Sequence, residues 1–295
     1  MTDFTVRPII EGEQRALLNV LVRSLHGTPP DDEAWARDWA SHSAERRFGA
    51  FDGDTPIGTT GSLTTELAVP GGKLLPAAAV DGVGVRADHT RKGVLTRLMA
   101  EQLRDCARRG DLVAMLHASE ATIYGRFGYG TATSAKTLVV DRAKARIRPE
   151  LPKTGTIRLL DDEQAMTQIP ELYRRIGAHR PGMIARPEGW WRRNHDRGIR
   201  RGGLTVAVHR DQDGDDGFVV YRTTYLGSFD DPERGVALEV QDLHGTSPAA
   251  VTGLWRYLIS VDLVGEIRAP GRPADEPVDA MLTNPRACQV RAFDD

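Results

Sequence analysis

Two stretches of this 295-residue chain carry residue types that could do chemistry. The first runs from Val83-Gly84-Val85 to Arg91-Lys92-Gly93-Val94-Leu95-Thr96: an apolar strand-like segment, a basic loop containing glycine, and the start of a helix. The opening N–H groups of a helix have no intrahelical partner, and the helix dipole adds roughly half a positive charge there. Gly93 lets the backbone approach a ligand closely, and Arg91 and Lys92 add full charges, so a pyrophosphate is the natural guest. Neither the Gly-x4-Gly-Lys-Ser/Thr loop nor a Gly-x-Gly-x-x-Gly turn directly after a strand is present. A phosphate-bearing cofactor other than a nucleoside triphosphate or dinucleotide is therefore expected.

The second stretch, residues 118–130, is dense in aromatics and glycines. Within it Tyr124 could donate a hydrogen bond or a proton to developing negative charge; on composition alone it reads as an aromatic anchor beside Phe127 and Tyr129. Three groups could take a proton from a nucleophile. Glu120 lies beside the motif and reads as an exposed cofactor contact. His117 ends an apolar run and reads as a core histidine. Asp81 interrupts the run 77–85 and could face an amine. His89 adjoins the basic loop and reads as solvated, within reach of a phosphate. Cys106 falls on the apolar stripe of the helix after Gly93, where a free cysteine is a small buried hydrophobe rather than a nucleophile.

The elements that must position these groups follow from periodicity. Residues Thr5–Pro8 predict a strand, and Leu17, Leu18, Leu21, Val22 and Leu25 form one helical stripe. Pro29 and Pro30 stop that helix; Asp31, Asp32 and Glu33 open another, where acids suit the N-terminal dipole. Trp35 and Trp39 share a face of it, as core or pocket wall. A hairpin is predicted over 47–51 and 57–69, then a strand over 77–85, a helix from Gly93 to Gly110, and a buried strand over 112–117. A first domain then spans 1–142, a linker with Pro149 and Pro152 spans 143–154, and a second domain spans 155–295. In the second domain strands are predicted at 204–209, 218–224 and 236–243. Ser247 as N-cap and Pro248 at the first helical position then open a helix to about Val261. This order echoes the first domain but lacks a basic, glycine-containing loop between strand and helix.

Composition narrows the classes. With 41 acidic and 39 basic residues the net charge is −2, which supports no nucleic-acid or polybasic membrane surface. The basic runs 142–148 and 192–201 read as solvated faces. Two cysteines, Cys106 and Cys288, make neither a disulfide framework nor a multi-thiolate zinc site, and no metal is expected. No apolar run approaches the roughly 18 residues of a membrane span, and the N-terminus lacks a signal-peptide pattern, so a cytoplasmic protein is expected.

Val83-Gly84-Val85 followed by Arg91-Lys92-Gly93-Val94-Leu95-Thr96 resembles the acetyl-CoA motif of the GNAT superfamily of N-acetyltransferases. The stretch Ala118-Ser119-Glu120-Ala121-Thr122-Ile123-Tyr124-Gly125-Arg126-Phe127-Gly128-Tyr129-Gly130 resembles, more specifically, the enhanced intracellular survival (Eis) acetyltransferases. The resemblance is strong over about residues 75–142. It implies an α/β fold of two tandem GNAT-like units, each a mixed, mostly antiparallel sheet flanked by helices, the second without a cofactor loop. By the same resemblance, Val83, Gly84 and Val85 pair with the pantetheine arm, Arg91, Lys92, Gly93, Val94, Leu95 and Thr96 wrap the pyrophosphate, and Ser119 and Glu120 touch the co-substrate. Tyr124 then matches the general acid for the departing CoA sulfur. The implied substrate is a small polycationic amine, an aminoglycoside or polyamine, or a protein lysine. From their places in the sequence, not from the resemblance, Asp81 and Trp35 are the residues expected to face it.

Two departures qualify the match. Thr90 stands where most GNAT loops carry Gln or Arg, which weakens phosphate binding modestly. Eis-like proteins also continue into a sterol-carrier-like domain whose final carboxylate is the base, whereas this sequence stops at Asp295. It is either a fragment or a short form needing another base, and a homo-oligomer smaller than the family's hexamer is expected. The competing reading is a non-catalytic acetyl-CoA-binding sensor or partner module.

Overall fold

The computed structural model describes residues 3–38, 45–226 and 235–294; Trp39 and Asp295 lie outside them. The chain forms two units, Met1–Val69 with Lys73–Gly130, and Pro70–Gly72 with Thr131–Asp295.

In the first unit β1 (Thr5–Pro8), β2 (Arg47–Asp52), β3 (Thr55–Ala68), β4 (Leu74–Val85) and β5 (Val113–Met115) lie side by side in that order. All neighbours are antiparallel except β4 and β5. Alternation along β2 sends Phe48 and Ala50 to one face and Phe51 to the other. The first face meets Val94 and Leu98 of α3, together with Phe4 and Ile57; the second meets Leu17 of α1 (Gln14–Ser24) and Ile9. Here α2 is Asp32–Asp38, opened by the Asp31 carboxylate accepting the Ala34 amide at 2.8 Å, and α3 is Val94–Arg109. Leu17 and Leu18 of the predicted stripe are buried, but Leu25 caps the C-terminus of α1 and is 55% exposed. Both ends of α3 are set by left-handed glycines, Gly93 and Gly110, a conformation other residues adopt only at a cost of about 1 kcal/mol.

The second unit holds β6 (Ala135–Asp141), β7 (Thr156–Leu160), β8 (Thr205–Arg210), β9 (Asp215–Tyr225), β10 (Val236–Gly245), β11 (Val264–Pro273) and β12 (Cys288–Asp294) in one sheet, ordered β12-β6-β11-β10-β9-β8-β7. Its helices are α4 (Asp162–Leu172), which runs on through a wide turn at Tyr173–Gly177, the short α5 (Glu188–Trp191) and α6 (Arg197–Arg200), α7 (Pro248–Ser260) and α8 (Val278–Met281). An Asp161–Gln164 capping box opens α4. The parallel pair β10 and β11, joined by α7, repeats the arrangement of β4, α3 and β5. Each unit is thus a mixed, mostly antiparallel sheet flanked by helices, an α/β fold.

The division between units differs from the sequence reading. Strand β6, placed by sequence in a first domain ending at 142, pairs with β11 on one side and β12 on the other. Its alternation buries Leu138 and Val140 among Ile267, Ala269 and Ala287, apolar partners that only the second unit supplies. Residues 143–154 are not a free linker either. Ala145 is fully buried in the same cluster, Ile147 bridges Leu282, and Arg148 bonds through its amide to the Met281 carbonyl and through its side chain to the Ala280 carbonyl, both at 2.9 Å.

Candidate functional site

The first unit opens where β4 bends. Gly61 pairs with Asp81 and Thr59 with Gly84, so β4 carries one more residue than β3 between those pairs. The extra length is taken up at Gly82, whose φ is +63°. A bulge of this kind bends and twists its strand. β5 pairs with β4 only from Ala77 to Ala79; from Val80 to Val85 that edge of β4 has no strand partner among the described residues, and the two parallel strands part. The Asp-Gly inside an apolar run is the sequence signal for this bulge, and Gly82 is absent from the sequence-derived site. Gly84 has a different reason to be glycine: a Cβ there would sit 2.5 Å from the Ser24 hydroxyl and 3.1 Å from Leu21 Cα, so it admits α1.

The loop after β4 is shaped by its backbone. The Arg86 amide bonds to the Ile57 carbonyl at 2.9 Å, and Thr90 closes the turn by donating to the Ala87 carbonyl at 3.0 Å. Arg91 (φ +60°) and Gly93 (φ +84°) are both left-handed, a curl that turns successive N–H groups to one side. No side chain among the described residues caps the start of α3. Val94 is buried and fixes the helix to the sheet, while Arg91, Lys92, Gly93 and Thr96 are exposed and Leu95 is half-buried. His89 is not a solvated loop residue: its ring lies between Asp88 (2.9 Å) and Asp52 (3.5 Å), with its side chain 12% exposed. Bonds from His89, then Arg86, hold the Asp88 carboxyl down at about 2.

The segment leaving β5 carries the second motif. β5 is shorter than predicted and half-buried; Leu112 is 65% exposed and His117 is exposed rather than a core residue. Ser119 and Glu120 are exposed, and Glu120 accepts from the Thr122 hydroxyl at 3.0 Å. Tyr124 stands between two single 3-10 turns, and its carbonyl accepts from the amides of Phe127 (2.9 Å) and Tyr129 (3.4 Å). Its phenol is half-buried, which pushes its pKa up. The Tyr129 ring meets it edge to face, centroids 6.0 Å apart.

Asp81 sits just before the bulge. One carboxylate oxygen accepts from Arg47 at 3.3 Å, and the other is buried with no partner among the described residues. At Trp35 the Arg15 guanidinium lies 5.8 Å from the ring and bonds Asp32 at 2.5 Å. Cys106 is buried, as expected. Burial pushes its thiol up, and the Arg46 guanidinium reaches it at 3.5 Å while pairing with Asp111.

The second unit closes the corresponding places with its own side chains. The Ser247 hydroxyl caps α7 by accepting the Ala250 amide at 3.1 Å. Where β10 leaves β11, Arg272 donates to the Leu243 carbonyl and to Glu276, each at 2.9 Å, and Trp255 donates to Glu276 at 2.5 Å. In the basic runs, Arg142 pairs with Asp262, Arg192 with Glu188 and Arg200 with Asp196. Among the described residues no three His, Cys, Asp or Glu side chains gather as a metal site, and no helix is long and apolar enough to cross a membrane.

Comparison with known proteins places this geometry. Residues 5–132 match an acetyltransferase (GNAT) domain model, and residues 182–293 match a second acetyltransferase (GNAT) domain model. An uncharacterized N-acetyltransferase of Streptomyces avermitilis is 34% identical over 99% of this chain and 72% of its own length. The N-acetyltransferase Eis of Mycobacterium tuberculosis is 33% identical over 83% of this chain and 60% of its own. The crystal structure of Eis1 from Mycobacterium abscessus superposes with a TM-score of 0.84 at 34% identity, covering 99% of this chain and 72% of that one. The chain belongs to the GNAT N-acetyltransferases of the Eis type, with two GNAT domains in tandem.

Proposed function

We propose that the protein moves an acetyl group from acetyl-CoA to a small polycationic amine, an aminoglycoside or polyamine, by direct attack in the first unit. The observation that carries the reading is the parting of β4 from β5 beside a helix start that no side chain caps. Both features suit acetyl-CoA. The free edge of β4 at Val83, Gly84 and Val85 offers backbone groups to an amide-bearing arm, and the amides of residues 93–96 with Arg91 and Lys92 suit a pyrophosphate. Ser119 and Glu120 line the exit of β5. When bound, acetyl-CoA supplies the activated thioester; the chain's own residues orient it and manage protons.

An alkylamine with a pKa near 10.4 is mostly protonated at pH 7, a handicap of roughly 4.6 kcal/mol. Asp81, with one oxygen held by Arg47 and the other unpaired, is the group we assign to anchor the ammonium and receive its proton. Tyr124 serves the opposite end. The leaving thiolate has a pKa near 8.5, well below a phenol's roughly 10, and burial raises Tyr124 further. Tyr124 therefore stays protonated and first stabilises the sulfur by a hydrogen bond, its proton moving late.

The test is thiol release from acetyl-CoA against aminoglycosides, polyamines and a lysine peptide, with Tyr124→Phe alongside. Turnover with one class names the acceptor, and loss of turnover in Tyr124→Phe with acetyl-CoA still bound supports the role given to Tyr124. Binding of acetyl-CoA without turnover on any amine would instead favour a sensor module.

A further inference from the structure

The hydroxyl of Tyr129 is buried and has no hydrogen-bond partner among the described residues. Buried hydroxyls are nearly always satisfied, because an unmet one forfeits its hydration for nothing in return. A phenylalanine would fill the same space without that loss, so a tyrosine here needs a reason outside the resting fold.

Its surroundings indicate the reason. The Tyr129 ring meets the Tyr124 ring edge to face at 72°, centroids 6.0 Å apart, and the bonds from the Phe127 and Tyr129 amides to the Tyr124 carbonyl fix the loop that joins them. Gly128, with φ +89°, makes the turn between them. Burial pushes Tyr129 up to about 12, with Cys106 and Tyr124 adding to the shift. Of the two, the Tyr124 ring is the one in edge-to-face contact with it. Cys106 is a poor acceptor, since its sulfur already takes the Arg46 guanidinium at 3.5 Å. Tyr124 remains.

We infer that Tyr129 is a positioning residue for Tyr124, its unpartnered hydroxyl donating a hydrogen bond to the Tyr124 oxygen as that oxygen gives up its proton. This rests on the role proposed for Tyr124. In that step the amine lone pair forms the C–N bond and the C–S pair passes to sulfur. Sulfur takes the Tyr124 proton, and the phenolate, held by the Tyr129 O–H, is reprotonated through water by the proton the amine has lost. Tyr129 itself stays protonated throughout. The hydrogen bond answers a specific problem, since a phenol buried in an apolar setting is otherwise a poor donor to a thiolate.

Tyr124→Phe, Tyr129→Phe and the double variant test it in the full chain. Tyr129→Phe is expected to melt at or above the wild-type temperature, to bind acetyl-CoA normally and to keep KM for the amine. Its kcat should fall about tenfold and the alkaline limb of its pH–rate profile should move. In the Tyr124→Phe background the same change should cost nothing more, because a group acting through Tyr124 is silent without it. A wild-type rate for Tyr129→Phe beside a slowed Tyr124→Phe overturns this inference alone, as do a lowered melting temperature or losses that multiply. A wild-type rate for Tyr124→Phe removes the proposed acid and this inference with it.

Discussion

Arg47 reaches one oxygen of Asp81 at 3.3 Å and leaves the other buried without a partner. The two residues face each other across Gly61, where an added Cβ would lie 2.9 Å from the guanidinium and 3.1 Å from the free oxygen. The contact with Arg47 fixes the direction of the carboxylate.

Asp81→Asn keeps the shape and removes the charge. With the best amine, kcat/KM should drop by about a hundredfold, in the range of general acid–base effects, while acetyl-CoA affinity stays unchanged by calorimetry. An unaltered kcat/KM would dismiss Asp81 from the site.

Gly84 and Gly93 should separate packing from ligand binding. Gly84→Ala drives a methyl into Ser24 and the Leu21 backbone, so a loss of about 1–3 kcal/mol in denaturant unfolding is expected. At Gly93 a Cβ meets nothing within 4 Å. Gly93→Ala should therefore cost only about 1 kcal/mol for its left-handed backbone, and its main effect should be weaker acetyl-CoA binding. Equal stability losses without any change in affinity would count against the loop as an anion site.

The second unit should weaken in acid in two stages. Burial lowers the pKa of His195, whose ring lies against Trp190 and Trp191 with neither nitrogen bonded. Its folded value lies below the unfolded value of about 6.5, so the unfolded chain binds the extra proton and stability falls as pH drops below that point. His195→Phe should flatten this part of a plot of denaturation midpoint against pH. Asp242 is the second stage. Burial acts to raise it, but His244 and Arg186 together hold it well below the carboxylate range. Its contribution is complete above about 3.8 and is lost as pH falls further. Asp242→Asn should be destabilised at neutral pH, and the gap to wild type should close in strong acid.

Ser247→Ala should lower the stability of α7 by about 1 kcal/mol, the usual worth of an N-cap, and leave acetyl transfer untouched. A fall in turnover larger than the fall in folded fraction would show that the second unit does more than the filled helix start suggests.

What could be read in sequence was whatever local chemistry determines. Gly93 and Gly110 bound α3 because left-handed residues end helices, and Ser247 with Pro248 begins α7 because a hydroxyl cap and a preset φ favour that start. The loop after β4 and the segment around Tyr124 stand in the sequence as contiguous strings. Partnerships distant along the chain were not. Strand β12 is mostly exposed, with Phe293 73% accessible, so it has no alternation to betray it. His117 looked apolar by its neighbours and is exposed because β5 stops at Met115. The fate of β6 depended on Ile267 and Ala287, which no local window contains.

That placement of β6 also bears on the order in which the protein can be made. Asp141 waits for Glu266 and Val140 for Cys288, so during synthesis at about 5–20 residues per second the strand emerges on the order of ten seconds before its partners. Through that interval Leu138 and Val140 are an uncovered apolar edge on a nascent chain whose first sheet can already be complete. A ribosome pause or a premature stop between β6 and β11 would leave the first unit folded and trailing a sticky strand, the state most exposed to chaperone capture and to pairing with a neighbouring chain.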